Sequence, residues 1–497
     1  MNRDEAPSPV SANGQARKSE ASVSPAARSA KRVAIFGGGL AGLAAAEALS
    51  AHGINVELHE ARSRLGGRAS SFADQQTGEI IDNCQHVAMG CCTNFFDFCE
   101  RTGLATHFKR LDSLLFIDAD NRQSRLSNGP WPAPFHLSGS FLRLRHFRLK
   151  ERLQIVRGLR QLVATADSPL NFQDWLNTQA QSPHVQEDFW KVVLVSALSE
   201  SLDRIEYAAA RQVFVQGFLS HRNAWKVSLP TVPLHVLYGE NLLKHLLDQG
   251  VQIKLQSRLK HFQLTNNQIG QAQLASGDYL TADAYLLALP WHAVGRVFPN
   301  SETNPKFLAQ AEQLEAAPIS SVHLWFDGPL TSESHAVLLG RLSQWVFNRS
   351  VIQAEPDPEW HYYQVVISQS RELSSWSQEE IVAHVTEELT RIWPKTAVGA
   401  RLLHSRVVRE HNAVFSVTPG SDAYRPSQET EFPNLFLAGD WTRTGWPATM
   451  EGAVRSGYLA AEKILHQWGI PATILQPDLP RSSLANGLGL FPSTESG

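Results

Sequence analysis

The spacing of apolar positions changes several times along the chain, and each change predicts an element. Residues 33–36 are a continuous apolar run of strand length. A small-residue, Ala-rich segment with helical character follows and stops at Gly53, and residues 54–59 form a second strand-length run. Residues 79–86 read as a short strand. Residues 92–102 read as a helix with Phe95, Phe96, Phe98 and Cys99 on or near its apolar face. A helical period covers 141–162, and more helix is expected over 185–219, where Trp190, Val193, Leu194, Leu198, Phe214 and Phe218 recur. An α/β rhythm then resumes. A helix over 238–249 is stopped by Gly250, a strand covers 251–255, a hairpin turns at Asn266-Asn267, and a buried strand ends at Pro290. Strands at 319–326 and 361–368 and a helix at 377–393 follow. The last pattern is a strand at 434–440 ending on Asp440, then a helix with Pro447 in its first turn. It runs to about Trp468 with Val454, Gly457, Ala461, Ile464 and Leu465 on one face.

These patterns predict an α/β protein in which one domain is assembled from three separate stretches. Its expected parts are 32–110, 231–296 and 404–470. Between them lie the two parts of a mixed α+β domain, 111–230 and 297–403. Residues 1–31 are rich in Ser, Ala, Arg, Pro and Glu without a hydrophobic period and read as a disordered tail, and 471–497 read as a loose one.

The chemistry concentrates at the first strand–helix junction. Gly37, Gly39 and Gly42 form G-x-G-x-x-G between a strand and a helix, and the next strand ends at Glu60, eighteen residues after Gly42. That context predicts a dinucleotide site. Gly37 permits the tight turn, Gly39 lets backbone approach a pyrophosphate, and Gly42 lets helix pack on strand. The helix N-terminus, including Gly38, Leu40 and Ala41, offers free N–H groups to the phosphates. Glu60 can accept hydrogen bonds from ribose hydroxyls. Just beyond it, Arg62 and the Arg64-Leu-Gly66-Gly67-Arg68 element can wrap backbone and guanidinium around a diphosphate. This pattern does not separate NAD from FAD.

Composition narrows the class. The chain has 497 residues, 43% hydrophobic and 19% charged, with a formal net charge of −3, which gives no general attraction to nucleic acid. No apolar run reaches the length of a membrane span. Thirteen Trp and 23 Phe against 3 Met suit large apolar cavities or surfaces. The four cysteines, too few for a disulfide scaffold, imply a reducing compartment and a cytoplasmic location. All four (Cys84, Cys91, Cys92 and Cys99) fall within sixteen residues around His86, but without zinc-type C-x-x-C pairs. A metal or redox site is therefore weighed against free thiols, and no metal is expected. Over 141–162, seven Lys and Arg residues face one Glu and interleave with Leu, Ile, Val and Phe. Such a helix is either a solvated basic face over a core or a peripheral contact with an anionic membrane.

Three distant elements together carry a resemblance: the Gly37 motif, Arg64–Arg68, and Leu437-Ala-Gly-Asp440 with Met450-Glu-Gly-Ala-Val-Arg-Ser-Gly457. Jointly they resemble the flavin amine oxidase and phytoene desaturase superfamily. The resemblance implies a Rossmann-type, amine-oxidase-like FAD-binding domain with an inserted substrate domain. It also implies that Gly439, Asp440, Met450, Glu451 and Ala453 meet FAD, with Leu259 and Pro290 on the adenine side. More narrowly, Asp82-Asn-Cys-Gln-His-Val-Ala-Met-Gly90, Trp131-Pro-Ala-Pro-Phe-His136, Gln344-Trp-Val-Phe-Asn-Arg349 and residues 439–453 are similar to the squalene-associated FAD-dependent desaturases, understood as hydroxysqualene dehydroxylases. Cys84 departs from the glycine usual there.

The narrower resemblance implies reduction of hydroxysqualene to squalene with loss of water, within squalene and hopanoid synthesis. It makes Gln85 a cofactor contact and Asp82 and His86 the candidates for acid or proton relay. A carotenoid-type desaturase is the alternative. An amine oxidase and a flavin-free prenyl-lipid-binding protein of the same fold rank lower.

Overall fold

A computed structural model describes residues 31–298, 305–354 and 359–487. The disordered tail expected over 1–31 lies outside the described residues except for Lys31. The chain opens with β1 (Arg32–Phe36), α1 (Leu40–Ala51) and β2 (Asn55–His59), and then forms α2 (Thr93–Arg101). It leaves through β3 (Ser113–Ile117), β4 (Gln123–Ser127) and α3 (Leu149–Ala164), and returns through β5 (Gln252–Lys254) and β6 (Ala284–Leu287). A second excursion comprises β7 (Ala316–Phe326), β8 (His335–Leu338), β9 (Trp345–Asn348), β10 (His361–Ser368), α4 (Gln378–Ile392) and β11 (Leu402–Phe415). The chain then closes with β12 (Leu435–Leu437) and α5 (Met450–Gln467).

One sheet is parallel, in the order β5-β2-β1-β6-β12. Its register sets Phe36 beside both His59 and Leu287, and Leu287 beside Leu437. The loops that follow these residues therefore leave from one edge, the carboxyl ends of the strands, where open α/β sheets hold ligands. Helix α5 packs on α1 so closely that a Cβ on Gly457 would collide with the Ala41 carbonyl oxygen.

The other large sheet runs β11-β7-β10-β9-β8-β3-β4. Alternation gives its central strands two different faces. Val322, Leu324 and Phe326 of β7 and Tyr363, Val365 and Ile367 of β10 pack with Ile381, Val385 and Leu389 of α4. The opposite face carries Ser321, His323, Trp325, Tyr362 and Gln364.

Several expected elements are shorter or broken. Only Ile80–Asp82 of 79–86 is strand. Beyond it, Asn83 N–H binds the Ser70 carbonyl, and the Asn83 amide oxygen accepts from Cys84 N–H. The helix expected over 141–162 is interrupted. A single turn at Ser138–Phe141 precedes a bend in which Leu144, His146 and Phe147 are buried, and α3 starts anew where Glu151 accepts from Arg148 N–H at 2.7 Å. The 185–219 region breaks at Ser199, whose φ is +56°. Pro447 precedes α5 instead of opening it, because the Thr449 hydroxyl caps the helix by accepting from Gly452 N–H. The expected loose tail is packed as far as Gly487. Gln476 N–H binds Asn94, Asp478 pairs with Arg455 at 2.7 Å, and Ala485 is buried.

Candidate functional site

At the carboxyl edge of the parallel sheet, two glycine loops interlock. Gly37 has φ +118°, and a Cβ there would strike the Ala288 carbonyl. A Cβ on Gly42 would strike the Gly37 carbonyl. Gly66 N–H binds the Gly38 carbonyl at 2.8 Å, and a Cβ on Gly67 would lie 3.0 Å from the Gly39 Cα. No side chain caps α1, whose N-cap residue is Gly39, so the amides of its first turn, including Leu40 and Ala41, have no intrahelical partner. Glu60 is buried, and its two carboxylate oxygens accept from Gly38 N–H at 2.7 Å and Arg62 N–H at 2.8 Å. The carboxylate is thus fixed beside the glycine turn. The Arg62 side chain is exposed. Leu259 is brought to the same end, because Ser257 N–H binds the Glu60 carbonyl and Gln256 N–H the Arg62 carbonyl. Pro290 follows β6 on the same edge, where Leu289 accepts from the Trp441 indole at 2.9 Å.

The end of the chain closes the crevice. Gly439 has φ +144° and donates to the Ser456 hydroxyl, which holds the Asp440 turn against α5. Arg68 Nη2 lies 2.6 Å from Asp440 Oδ1, and Arg68 Nη1 donates to the Ala413 carbonyl at 2.7 Å. The first and last elements of the nucleotide half therefore meet directly. Met450 and Ala453 lie half-buried in the first turn of α5. The Glu451 carboxylate does not point to this crevice. It is fully buried and accepts from Asn94 N–H and Phe95 N–H at the start of α2, so only its backbone is left for a cofactor. Burial raises the Glu451 pKa, against the pull of those donors and of Arg455.

Next to the crevice, the 82–86 segment meets the polar face of the second sheet. Asp82 Oδ1 accepts from the Ser71 hydroxyl at 2.7 Å and from Leu234 N–H at 2.9 Å, while Oδ2 lies 3.3 Å from Arg349 Nη2. Arg349 Nη1 donates to Gln85 Oε1 at 2.6 Å. The Asp82 carboxylate accepts from Ser71, Leu234 and Arg349, which makes it a tie between elements. Gln85 is likewise bound to Arg349. His86 Nδ1 is bound to the Cys84 carbonyl at 3.0 Å, which leaves Nε2 free, and burial lowers its pKa so that the ring is neutral. Burial pushes the Cys84 thiol up to about 12, and the thiol meets the Ser321 hydroxyl. Ser321 also accepts from the Gln364 amide at 3.0 Å and lies 3.3 Å from His323 Nε2. His323 Nδ1 is 2.6 Å from the Tyr362 hydroxyl. Burial takes His323 down to about 3 and raises the Tyr362 phenol far above its usual range. Cys84, His86 and Tyr362 are each half-buried.

Ser321, His323, Tyr362 and Gln364 are absent from the residues singled out by sequence. The available signal was partial: Ser321 and His323 in 319–326, and Tyr362 and Gln364 in 361–368, stand two positions apart in strands rich in apolar residues. Arg349 stood at the end of a motif with no role assigned. Among the described residues, no group of three or more His, Cys, Asp or Glu side chains is placed to hold a metal ion, and the four cysteines are free thiols.

A parallel sheet with a dinucleotide cradle, closed by a distant strand–helix unit and joined to a second sheet, defines a two-part dinucleotide-dependent oxidoreductase. The profile of the family described as flavin containing amine oxidoreductase matches residues 40–465, and the chain belongs to that family. It is 27% identical over 441 residues to a hydroxysqualene dehydroxylase of Rhodopseudomonas palustris, covering 88% of this chain and 98% of the relative. It is 26% identical over 460 residues to a 15-cis-phytoene desaturase of Synechococcus elongatus, covering 87% and 96%. Among solved structures, an oxidoreductase from Methanosarcina mazei superposes with a TM-score of 0.67 at 17% identity, covering 88% of this chain and all of that one. Putrescine oxidase bound to putrescine also gives 0.67 at 15% identity, covering 88% and 99%. The protein is an FAD-dependent oxidoreductase. The cradle fits that cofactor: glycines admit no side chain at the points of closest approach, open helix amides face the phosphate position, and a fixed acid stands at the ribose position.

Proposed function

We propose that the enzyme removes the hydroxyl group of hydroxysqualene reductively, giving squalene and water, as a step of squalene and hopanoid synthesis. The observation that carries this reading is the Tyr362–His323–Ser321–Gln364 network beside Arg349 and the 82–86 segment. An oxygen leaving an allylic carbon needs a proton and hydrogen-bond donors, whereas loss of hydrogen from a hydrocarbon needs neither. Tyr362 is the hydrogen-bond donor to the departing oxygen in our reading; burial disfavours its phenolate, so the proton that completes water comes with the reduced cofactor and not from the phenol. His323 orients the Tyr362 hydroxyl. Arg349 holds Asp82 and Gln85 so that this segment stays against the sheet. Gly37–Gly42, Glu60, Gly66–Arg68 and Asp440 would hold FAD, which, once reduced by an outside donor, would supply the hydride to carbon and the proton to the departing oxygen, giving squalene, water and oxidised FAD. The surrounding apolar core keeps competing water away from the carbon that becomes electron-poor.

The second reading is a phytoene-type desaturase, in which hydride leaves the substrate. It is favoured by the equal similarity of the chain to such a relative. Anaerobic incubation of hydroxysqualene and of phytoene with reduced and with oxidised enzyme separates the two. Squalene formed only by reduced enzyme supports the proposal, and polyene formed by oxidised enzyme overturns it. Substrates of either kind reside in the bilayer, so this reading also puts the enzyme at the cytoplasmic surface of a membrane.

A further inference from the structure

Helix α3 carries an outer face that no other part of the described protein covers. Leu149, Leu153 and Val156 follow one another at helical spacing, and they are 67%, 63% and 55% exposed. Just before the helix, Leu142 is 58% exposed, and Arg152 fixes that bend by donating to the Leu144 carbonyl at 2.7 Å. Around this apolar stripe stand Arg143, Arg145, Arg148, Lys150, Arg157 and Arg160, all exposed. The opposite side of α3 is occupied, with Ile155, Gly158 and Leu162 buried against the substrate half. The stripe is therefore surplus to the core.

The charge pattern selects the occupant. From Asn121 to Ala166 the sequence holds one acid, Glu151, and that carboxylate is buried at the start of α3. The stretch thus presents leucines between cations with no exposed acid of its own. The same stretch exposes Trp131 at 64% and Phe135 at 44%. The loop bearing Trp131 and the end of α3 both meet the 482–485 segment, through the Ser482–Ala133 hydrogen bond and the apolar cluster of Val163, Val215 and Ala485. A nucleic acid offers no apolar layer for leucines, and a protein partner would have to combine an apolar groove with a dense rim of acids to match this face. A bilayer with anionic headgroups offers both an apolar layer and phosphates. No described helix is long and apolar enough to cross a membrane, so the contact is with the surface.

We infer that the outer face of α3, with Leu142 and its flanking arginines, is a docking surface for an anionic phospholipid bilayer. This rests on the membrane placement proposed above and names the surface that achieves it. The leucines sit below the headgroups while the guanidinium groups reach the phosphates.

The test uses the full-length flavoprotein and sedimentation with vesicles, in the absence of substrate. Vesicles of equal parts phosphatidylcholine and phosphatidylglycerol are expected to bind at least about tenfold more tightly than phosphatidylcholine alone, and added salt should weaken binding. Leu149→Asp with Leu153→Asp should reduce binding about tenfold or more on both vesicle types. Lys150→Glu with Arg157→Glu should remove the preference for the anionic vesicles. All four positions are exposed, so flavin content and thermal midpoint should match wild type. Failure of wild type to sediment with anionic vesicles overturns the inference, as does undiminished binding by the leucine variant. Absence of vesicle binding together with a wild-type dimer that the leucine variant dissociates would assign the face to a second copy. The substrate assay is run in detergent micelles, so failure of the reaction and failure of docking are read separately.

Discussion

Arg349 and Gln85, 264 positions apart in sequence, are joined by a 2.6 Å hydrogen bond in a place where both are buried. The same guanidinium reaches Asp82, so one arginine ties the segment beside the flavin crevice to the sheet of the substrate half. Breaking such a buried pair leaves an uncompensated charge, at a cost of about 3–5 kcal/mol. Arg349→Met is expected to lower the unfolding free energy by about 3 kcal/mol or more, read by urea denaturation. Asp82→Asn should lower it by about 2 kcal/mol through the lost ionic contact while leaving kcat within about threefold in whatever folds. A hundredfold fall in kcat at unchanged stability would instead restore Asp82 as the acid.

Gly42 has no room for a methyl group, because a Cβ would overlap the Gly37 carbonyl oxygen, which is backbone and cannot step aside. Gly42→Ala must push α1 off β1 and move the amides that face the phosphates. The expected product is a folded but largely colourless protein. Its ratio of flavin absorbance to protein absorbance should fall at least about tenfold, since a 1.4 kcal/mol loss already corresponds to a factor of ten. Gly53→Ala makes a useful control. Its glycine also has a positive φ, +76°, but nothing lies within 4 Å of the added atom, so flavin content should be kept.

These two cases show why one half of the site was legible and the other was not. The glycine cradle is written in thirty-odd consecutive residues, where strand, turn, helix and acid follow one another at fixed spacing. The link from Arg68 to Asp440 was legible only through the resemblance of both ends. The polar network was hidden because its members come from 82–86, 321–323, 349 and 362–364, and only the register of β7 against β10 (Ser321 beside Val366, His323 beside Gln364) brings them together. Side-chain direction was also invisible. Glu451 lies inside a flavin-like motif, yet its carboxylate binds the start of α2. Periodicity suggested one helix over 141–162, but a single carboxylate, Glu151, restarts the helix at Leu149. The division into 32–110, 231–296 and 404–470 around 111–230 and 297–403 remains our proposal for the domain boundaries, with the strands of the parallel sheet drawn from 32–59, 252–287 and 435–437.

The Tyr362 hydroxyl is held 2.6 Å from His323 and stays protonated. If it donates to the leaving oxygen, Tyr362→Phe removes that donor while keeping the ring stacked on Trp325, 4.7 Å away. The expected result is a fall in kcat for hydroxysqualene of about 10²–10⁴-fold with KM little changed. His323→Gln, which acts only through the tyrosine, should fall less and should change the pH profile. A loss confined to KM would show that Tyr362 contributes to binding and not to loss of the oxygen.

Acid should unfold the protein through its buried histidines. Burial lowers His136, His146 and His335 to about 4 and His323 to about 3, and each is less than 7% exposed. In the unfolded chain these rings titrate near 6.5. Below that value the unfolded state binds protons that the folded state refuses, so stability rises with pH and is fully present above about 7. It is lost as pH falls from about 6.5 toward 4. At pH 5 each ring contributes about 2 kcal/mol of loss, taken singly. His136 tests this most cleanly, since neither ring nitrogen has a protein partner and it lies outside the proposed network. His136→Leu should reduce the slope of unfolding free energy against pH by about one proton between pH 5 and 6, measured by urea titrations at a series of pH values. An unchanged slope would show that His136 is protonated in the folded state.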